Sequence, residues 1–202
     1  MREKFIWEVK ARNTPLLKRI CSQCDGDRFY CSGKFRINAQ KKYIDIWLIY
    51  RCIKCDNTYN MTIFSRTKTE LINKDLFNKF LENNTETAWE YAFSRETSRK
   101  NNVELDFSSV EYDIRFDNIS VEDILNFNGE IVTFKIKYPF DFSLKLSSVI
   151  RKCLNLSANK LNKLIEAKVI SIHEKHLQKK HKVVNDDIVQ VNREKLRGIY
   201  HI

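Results

Sequence analysis

The sequence predicts an α+β protein laid out in three stretches, and three observations carry that prediction. Two Cys-x-x-Cys pairs, Cys21 with Cys24 and Cys52 with Cys55, bracket sequence rich in aromatic and β-branched residues. Apolar residues then recur near helical spacing through the middle of the chain. Further on, Leu146, Val149, Ile150, Cys153 and Leu154 form a complete helical stripe, and Leu161, Leu164 and Ile165 begin a second. The expected architecture is a three-stranded sheet within residues 1–67, a helical segment over 68–130, and an αα-hairpin with a small sheet over 131–202.

The elements follow in order. Residues 29–38, 43–52 and 58–67 read as strands of an antiparallel meander, with the polar break Ala39-Gln40-Lys41-Lys42 as the first hairpin turn. In the second strand Ile44, Ile46, Leu48 and Tyr50 share one face, so that face should be buried. Leu71, Leu76, Phe77, Phe80 and Leu81 predict a helix with Asn73 as its cap. Thr87 and Glu90, at capping-box spacing, predict another that places Trp89, Ala92 and Phe93 on one side. Residues 103–107, 110–116 and 131–138 alternate like strands, and Ser120 with Asp123 can open a short helix. Ser157 can cap the second helix of the hairpin, and residues 169–172 and 187–191 complete the pattern as strands.

The two cysteine pairs give the strongest chemical signal. Each is followed by turn residues, Asp25-Gly26 and Asp56-Asn57. Four thiolates in two close pairs can surround one zinc ion as a closed tetrahedron, the arrangement of a zinc ribbon. With all four positions filled by protein, such a zinc is structural. The competing reading is a set of redox-active thiols, which two pairs joined by strands make the weaker one. Cys31 falls inside a strand and Cys153 on a buried stripe, so both are spare. His173, His176 and His181 lie among Lys175, Lys179, Lys180 and Lys182, which would repel a cation. A solvated basic loop is expected there.

Charge points to a polyanionic partner. The chain carries 36 Lys+Arg against 26 Asp+Glu, a net charge of +10, distributed as two basic ends around an acidic middle. In the first stretch Lys34, Arg36, Lys41, Lys42, Arg51 and Lys54 accompany Phe35, Tyr43, Trp47 and Tyr50. Those aromatics could stack on bases or, the favoured reading, pack against the helical middle. The first residues alternate charged and apolar groups, without the apolar core of a signal peptide, and the longest strongly apolar run is 46–50. A cytoplasmic protein with reduced thiols and no membrane segment is expected. No glycine-rich phosphate loop, nucleophile elbow or carboxylate pair suggests an enzyme.

Residues 142–191 resemble the S4 RNA-binding module of ribosomal proteins, pseudouridine synthases and tRNA synthetases. Lys145-Leu146-Ser147 stands at that module's opening, Leu156-Ser157-Ala158 at its helix step, Leu164-Ile165 at the helix end and Asp187-Ile188-Val189-Gln190-Val191 at its closing strand. Ala158 replaces the family's arginine, and Lys168 stands near its glycine. Over nearly its full length the chain is similar to the bacterial family catalogued as domain of unknown function 1062. The stretches carrying that likeness are residues 32–39 and 45–52.

The S4 resemblance implies a non-catalytic reader of structured ribosomal or transfer RNA. Lys145, Arg151, Lys152, Lys160, Lys163 and Lys168 would be its phosphate contacts. The alternatives are a protein-interaction adaptor without an RNA role and an RNA-modifying enzyme.

Overall fold

The computed structural model describes residues 3–178 and 180–200. Met1, Arg2 and Lys179, which entered the reading of the N-terminus and the basic loop, lie outside the described residues. The chain divides into two compact units, one made of residues 1–11 with 112–202 and the other of residues 12–111. The second is an insertion in the first, so the acidic segment 68–130 contributes to both. Among the described residues no helix is long and apolar enough to cross a membrane.

Strand β1 (Glu3–Ala11) opens the first unit, and the chain then leaves it for one hundred residues. The inserted unit contains β2 (Leu16–Lys18), β3 (Arg28–Gln40), β4 (Tyr43–Cys52) and β5 (Thr58–Lys68). Helices α1 (Lys74–Leu81), α2 (Thr85–Phe93) and α3 (Arg95–Lys100) follow, then β6 (Glu104–Asp106). Its sheet is five-stranded and antiparallel, in the order β5-β4-β3-β2-β6. The three long strands occur where the alternation predicts them. Ile44, Ile46, Leu48 and Tyr50 are all buried, because β4 is central and one face meets the helices.

The caps of these helices are read correctly in one case and displaced in another. Asn73 Oδ1 accepts from the Asp75 and Leu76 amides at 2.8 and 3.3 Å. The second helix is capped by Asn84, whose Oδ1 accepts from Thr87 N at 2.9 Å, so Thr87 lies inside the helix and is buried. Leu71 and Leu81 are exposed, and α1 meets the core through the buried Phe80, with Leu76 and Phe77 partly buried against the same cluster. Phe80 lies 4.8 Å from Phe35 edge to face, with Phe64 and Tyr91 also against it. Phe35 thus packs against a helix and Tyr50 is fully buried, as the packing alternative requires, while Tyr43 is exposed.

The chain re-enters the first unit with β7 (Tyr112–Arg115), α4 (Val121–Asn126) and β8 (Ile131–Lys137). It continues through α5 (Leu146–Cys153), α6 (Ala158–Glu166), β9 (Ile170–Ile172), β10 (Lys175–His176), β11 (Ile188–Asn192) and α7 (Arg193–Tyr200). The Ser120–Asp123 capping box is complete, with Ser120 N donating to Asp123 at 2.7 Å and Asp123 N to Ser120 at 3.0 Å. Ser157 caps α6 through Lys160 N at 3.2 Å.

The expected fold class needs correction. The N-terminal sheet has five strands where three were expected. The C-terminal part is not an S4-like αα-hairpin with its own small sheet. Its sheet has six strands in the order β10-β9-β11-β8-β1-β7, and the chain closes on a strand and a helix. Within it β1 and β8 run parallel, pairing Phe5 with Phe134 and Trp7 with Ile136. The physical reason lies in burial. The stripes of α5 and α6 are wholly buried, with α6 beside β9, and Trp7, Val9, Val132, Phe134 and Ile136 are buried in the central strands of the same broad sheet. Periodicity in a short window cannot reveal that residues 3–11 complete a sheet whose other strands lie beyond residue 111.

Candidate metal centre

The inserted unit brings both Cys-x-x-Cys pairs to one end of its sheet. Cys52 is the last residue of β4, and Cys21 and Cys24 lie in the turn between β2 and β3. Each pair is folded into a tight knuckle by its own backbone. Cys21 N donates to Gly26 O at 2.8 Å, and Cys52 N to Asn57 O at 2.8 Å. In the second knuckle Asp56 adopts a left-handed backbone, φ 61°, and its amide donates to Cys52 O at 3.0 Å.

All four Sγ atoms lie within 4.8 Å of one another. Cys21 Sγ is 3.6 Å from Cys55 Sγ, and Cys24 Sγ is 3.6 Å from Cys52 Sγ, so each close contact joins one knuckle to the other. A tetrahedron of bonds about 2.3 Å long has sulfur–sulfur edges of about 3.8 Å. The thiols fit such an ion, and the surrounding donors suit thiolates. Gln23 N points at Cys21 Sγ at 3.4 Å, Gly26 N at Cys24 Sγ at 3.3 Å, and Asn57 Nδ2 at Cys21 Sγ at 3.6 Å. Lys54 pairs with Asp25 across the knuckles, and Asp56 accepts from Tyr30 Oη at 2.8 Å and pairs with Arg51.

Electrostatics separates the four thiols. The Gln23 amide, ahead of the Cys55 and Asn57 contacts, draws Cys21 down to about 6. Cys24 receives the Gly26 amide, yet burial and the three neighbouring thiols outweigh it and push that thiol up to about 12. One thiolate is therefore favoured by local hydrogen bonds, and further negative charge in the cluster needs a cation to offset it. Cys31 and Cys153 stand apart, with burial raising them to about 11 and about 12. Among the described residues no other group of three or more potential ligands converges in this way.

The remaining expected contacts lie in the other unit. Lys145, Arg151, Lys152, Lys160, Lys163 and Lys168 are all exposed, while the helical stripes between them are buried. The histidine loop is less plain than the sequence suggests. Asp187 is buried, and its two carboxylate oxygens face His173 Nε2 at 3.1 Å and His181 Nε2 at 3.5 Å. The acid that faces them, in a strand-leading turn, is hydrogen-bonded to His173 but lies six residues beyond His181 and gives no local sequence signal.

A family model described as Protein of unknown function (DUF1062) matches residues 37–176. The chain belongs to that family. The DUF1062 match takes in Cys52 and Cys55 and begins after Cys21 and Cys24, so half of the thiol cluster lies outside it. It also covers the six exposed cations of the other unit. No curated protein and no solved structure matches the chain.

Proposed function

We propose that Cys21, Cys24, Cys52 and Cys55 hold one zinc ion, and that this DUF1062 protein is a non-catalytic zinc protein. The observation that carries the reading is the crossed pair of 3.6 Å sulfur contacts between two separately folded knuckles. Four protein thiolates leave no open position for water or substrate, so the ion acts by holding the knuckles together. Cys21 and Cys52 belong to the same buried cluster as Phe29, Leu48 and Tyr50, which ties the ion to the core of the inserted unit. A four-thiolate tetrahedron also accommodates iron. Elemental analysis of protein purified without chelator tests the proposal, with about one zinc per chain expected. Iron in its place, no metal, or unchanged stability after Cys52→Ser with Cys55→Ser would overturn it.

We also propose that the protein contacts RNA through Lys145, Arg151, Lys152, Lys160, Lys163 and Lys168. Support comes from their exposure beside fully buried stripes, so that contact with phosphates would not disturb the core. Titration of structured RNA at several salt concentrations is the test. Lys160→Ala with Lys163→Ala should weaken binding and lower the slope of log affinity against log salt by up to about two units. No binding by the wild type at low salt would favour the adaptor reading.

A further inference from the structure

The first unit contains a groove that shares only Lys168 with the residues of the two proposals. A cavity of about 520 Å³ opens between the ends of β8, β9 and β11, the β9–β10 turn and the start of α7. Its volume falls in the range of small-molecule sites. Ile131 supplies half-buried apolar lining, and Lys168, Lys175 and Lys195 line the groove as three exposed cations. None of the three makes an ion pair among the described residues.

Two features shape the groove. Gln190 is a buried amide on its wall, 6% exposed, and its Oε1 accepts from Glu174 N at 2.9 Å. That bond fixes which way the amide lies and leaves its Nε2 hydrogens as the donors available to a ligand. The second feature is backbone strain at Lys168. Helix α6 ends with Lys168 N donating to Ile165 O at 3.0 Å and Val169 N to Leu164 O at 2.9 Å, a Schellman closure. The residue that turns left-handed in that closure is Lys168, at φ 55°, where glycine is the ordinary choice. Glu174 is left-handed as well, at φ 64°. The left-handed backbone at these two positions sets the direction in which the Lys168 and Glu174 side chains leave the helix end and the turn that border the groove.

We propose that this groove binds a mononucleotide. The lysines would take the phosphate, Ile131 would meet the face of the base, and Gln190 would donate to a ring or carbonyl acceptor. Glu174, the one carboxylate of the lining, opposes a bare anion and suits a ligand that also offers ribose hydroxyl or amino hydrogens. Three cations around one cavity match one phosphate ester, whereas a polynucleotide needs a track of them. The proposal does not depend on the RNA reading.

The experiment is calorimetric titration of the full chain with AMP, adenosine, inorganic phosphate and a short RNA oligonucleotide, using wild type, Lys168→Gly and Lys175→Ala. AMP should bind more tightly than adenosine or phosphate and weaken as salt rises. Lys168→Gly should lose about tenfold in AMP affinity, the size of one charge-assisted hydrogen bond, while its Tm stays level or rises because the strain is relieved. Lys175→Ala should lose a similar factor. No AMP binding at millimolar concentration, equal affinity in wild type and both variants, or binding of the oligonucleotide without AMP would each overturn the proposal.

Discussion

A Cβ placed on Gly26 would lie 2.8 Å from Cys52 Sγ, an atom of the opposite knuckle. The next atom it would meet is Cys24 Sγ at 3.2 Å. Both are proposed ligands, so relieving the crowding would move a sulfur or the backbone that folds the knuckle. The same residue donates its amide to Cys24 Sγ, which a shifted backbone would also disturb. Gly26→Ala should therefore weaken metal retention by about ten- to a hundredfold in a chelator competition, the range for disturbed ligand-supporting contacts. Its stability should fall by about 1–3 kcal/mol, as overpacking costs elsewhere. Retention equal to wild type would show that the knuckles accommodate a methyl group and that the close packing is not part of the metal centre.

Tyr50 makes the opposite kind of prediction. Its ring is fully buried in the inserted unit, and among the described residues its hydroxyl oxygen has no hydrogen-bond partner. Burial holds the phenol well above its ordinary pKa, with Cys31 and Tyr59 adding to the effect. A buried hydroxyl without a partner forfeits its water and gains nothing in return. Tyr50→Phe keeps the ring and removes the orphan, so thermal or urea unfolding should show stability unchanged or raised by about 1 kcal/mol. A loss above 1 kcal/mol would mean that the hydroxyl has a partner in solution.

The sequence revealed those parts of the fold whose signals are local. β4 alternates because one face is core, Asn73 and Ser120 cap because each precedes a helix by one residue, and the knuckle cysteines carry their turns with them. What stayed hidden depends on partners far along the chain. The alternation of Phe5, Trp7 and Val9 is as regular as that of β4, but nothing near it says that β8 is its parallel neighbour. The short strands β2 and β6 show the same limitation, since each has only three residues and they pair with one another across the whole insertion. The grouping of Cys21, Cys24, Cys52 and Cys55 was legible, whereas the close approach of Gly26 to Cys52 becomes visible only when the second knuckle is brought against the first. Asp187 and the Lys168 groove were missed for a similar reason: their residues come together from three or four separate elements.

Asp106 predicts a pH dependence. It ends β6, accepts from Ser108 N at 3.2 Å and from Arg28 Nε at 3.3 Å, and its side chain is largely buried. The Ser108 hydroxyl first, with Arg28 assisting against the cost of burial, holds its carboxyl below the ordinary 3.8. Because the folded pKa lies below the unfolded one, the unfolded chain binds the proton more readily. The stabilisation is therefore fully present above the unfolded value near 3.8 and is lost as pH falls through the folded value. Asp106→Asn should cost about 1 kcal/mol at neutral pH. The difference between variant and wild type should shrink towards zero in acid. Comparing the two proteins at each pH cancels any acid-driven loss of metal, which affects both. A difference that stays constant from neutral pH into acid would rule out the charge as its source.

The last prediction concerns the N-terminal strand. Trp7 is 1% exposed, pairs with Ile136 in the parallel ladder, and stacks on Phe134 with ring centroids 4.4 Å apart. Phe134 is in turn stacked on Phe5, so β1 supplies two aromatic rings to a core otherwise drawn from residues beyond 111. Trp7→Ala removes the larger ring and leaves a cavity, at a cost of about 3–5 kcal/mol, a large fraction of a typical domain's stability. The loss should appear in the sheet that β1 completes. Hydrogen exchange should quicken in peptides covering residues 131–137 and 188–192, which pair directly or at one remove with β1. The metal content should stay at the wild-type value, because all four cysteines lie in the other unit. Had residues 1–11 belonged with the cysteine-bearing sheet, the outcome would be reversed, with metal lost and residues 131–137 still protected.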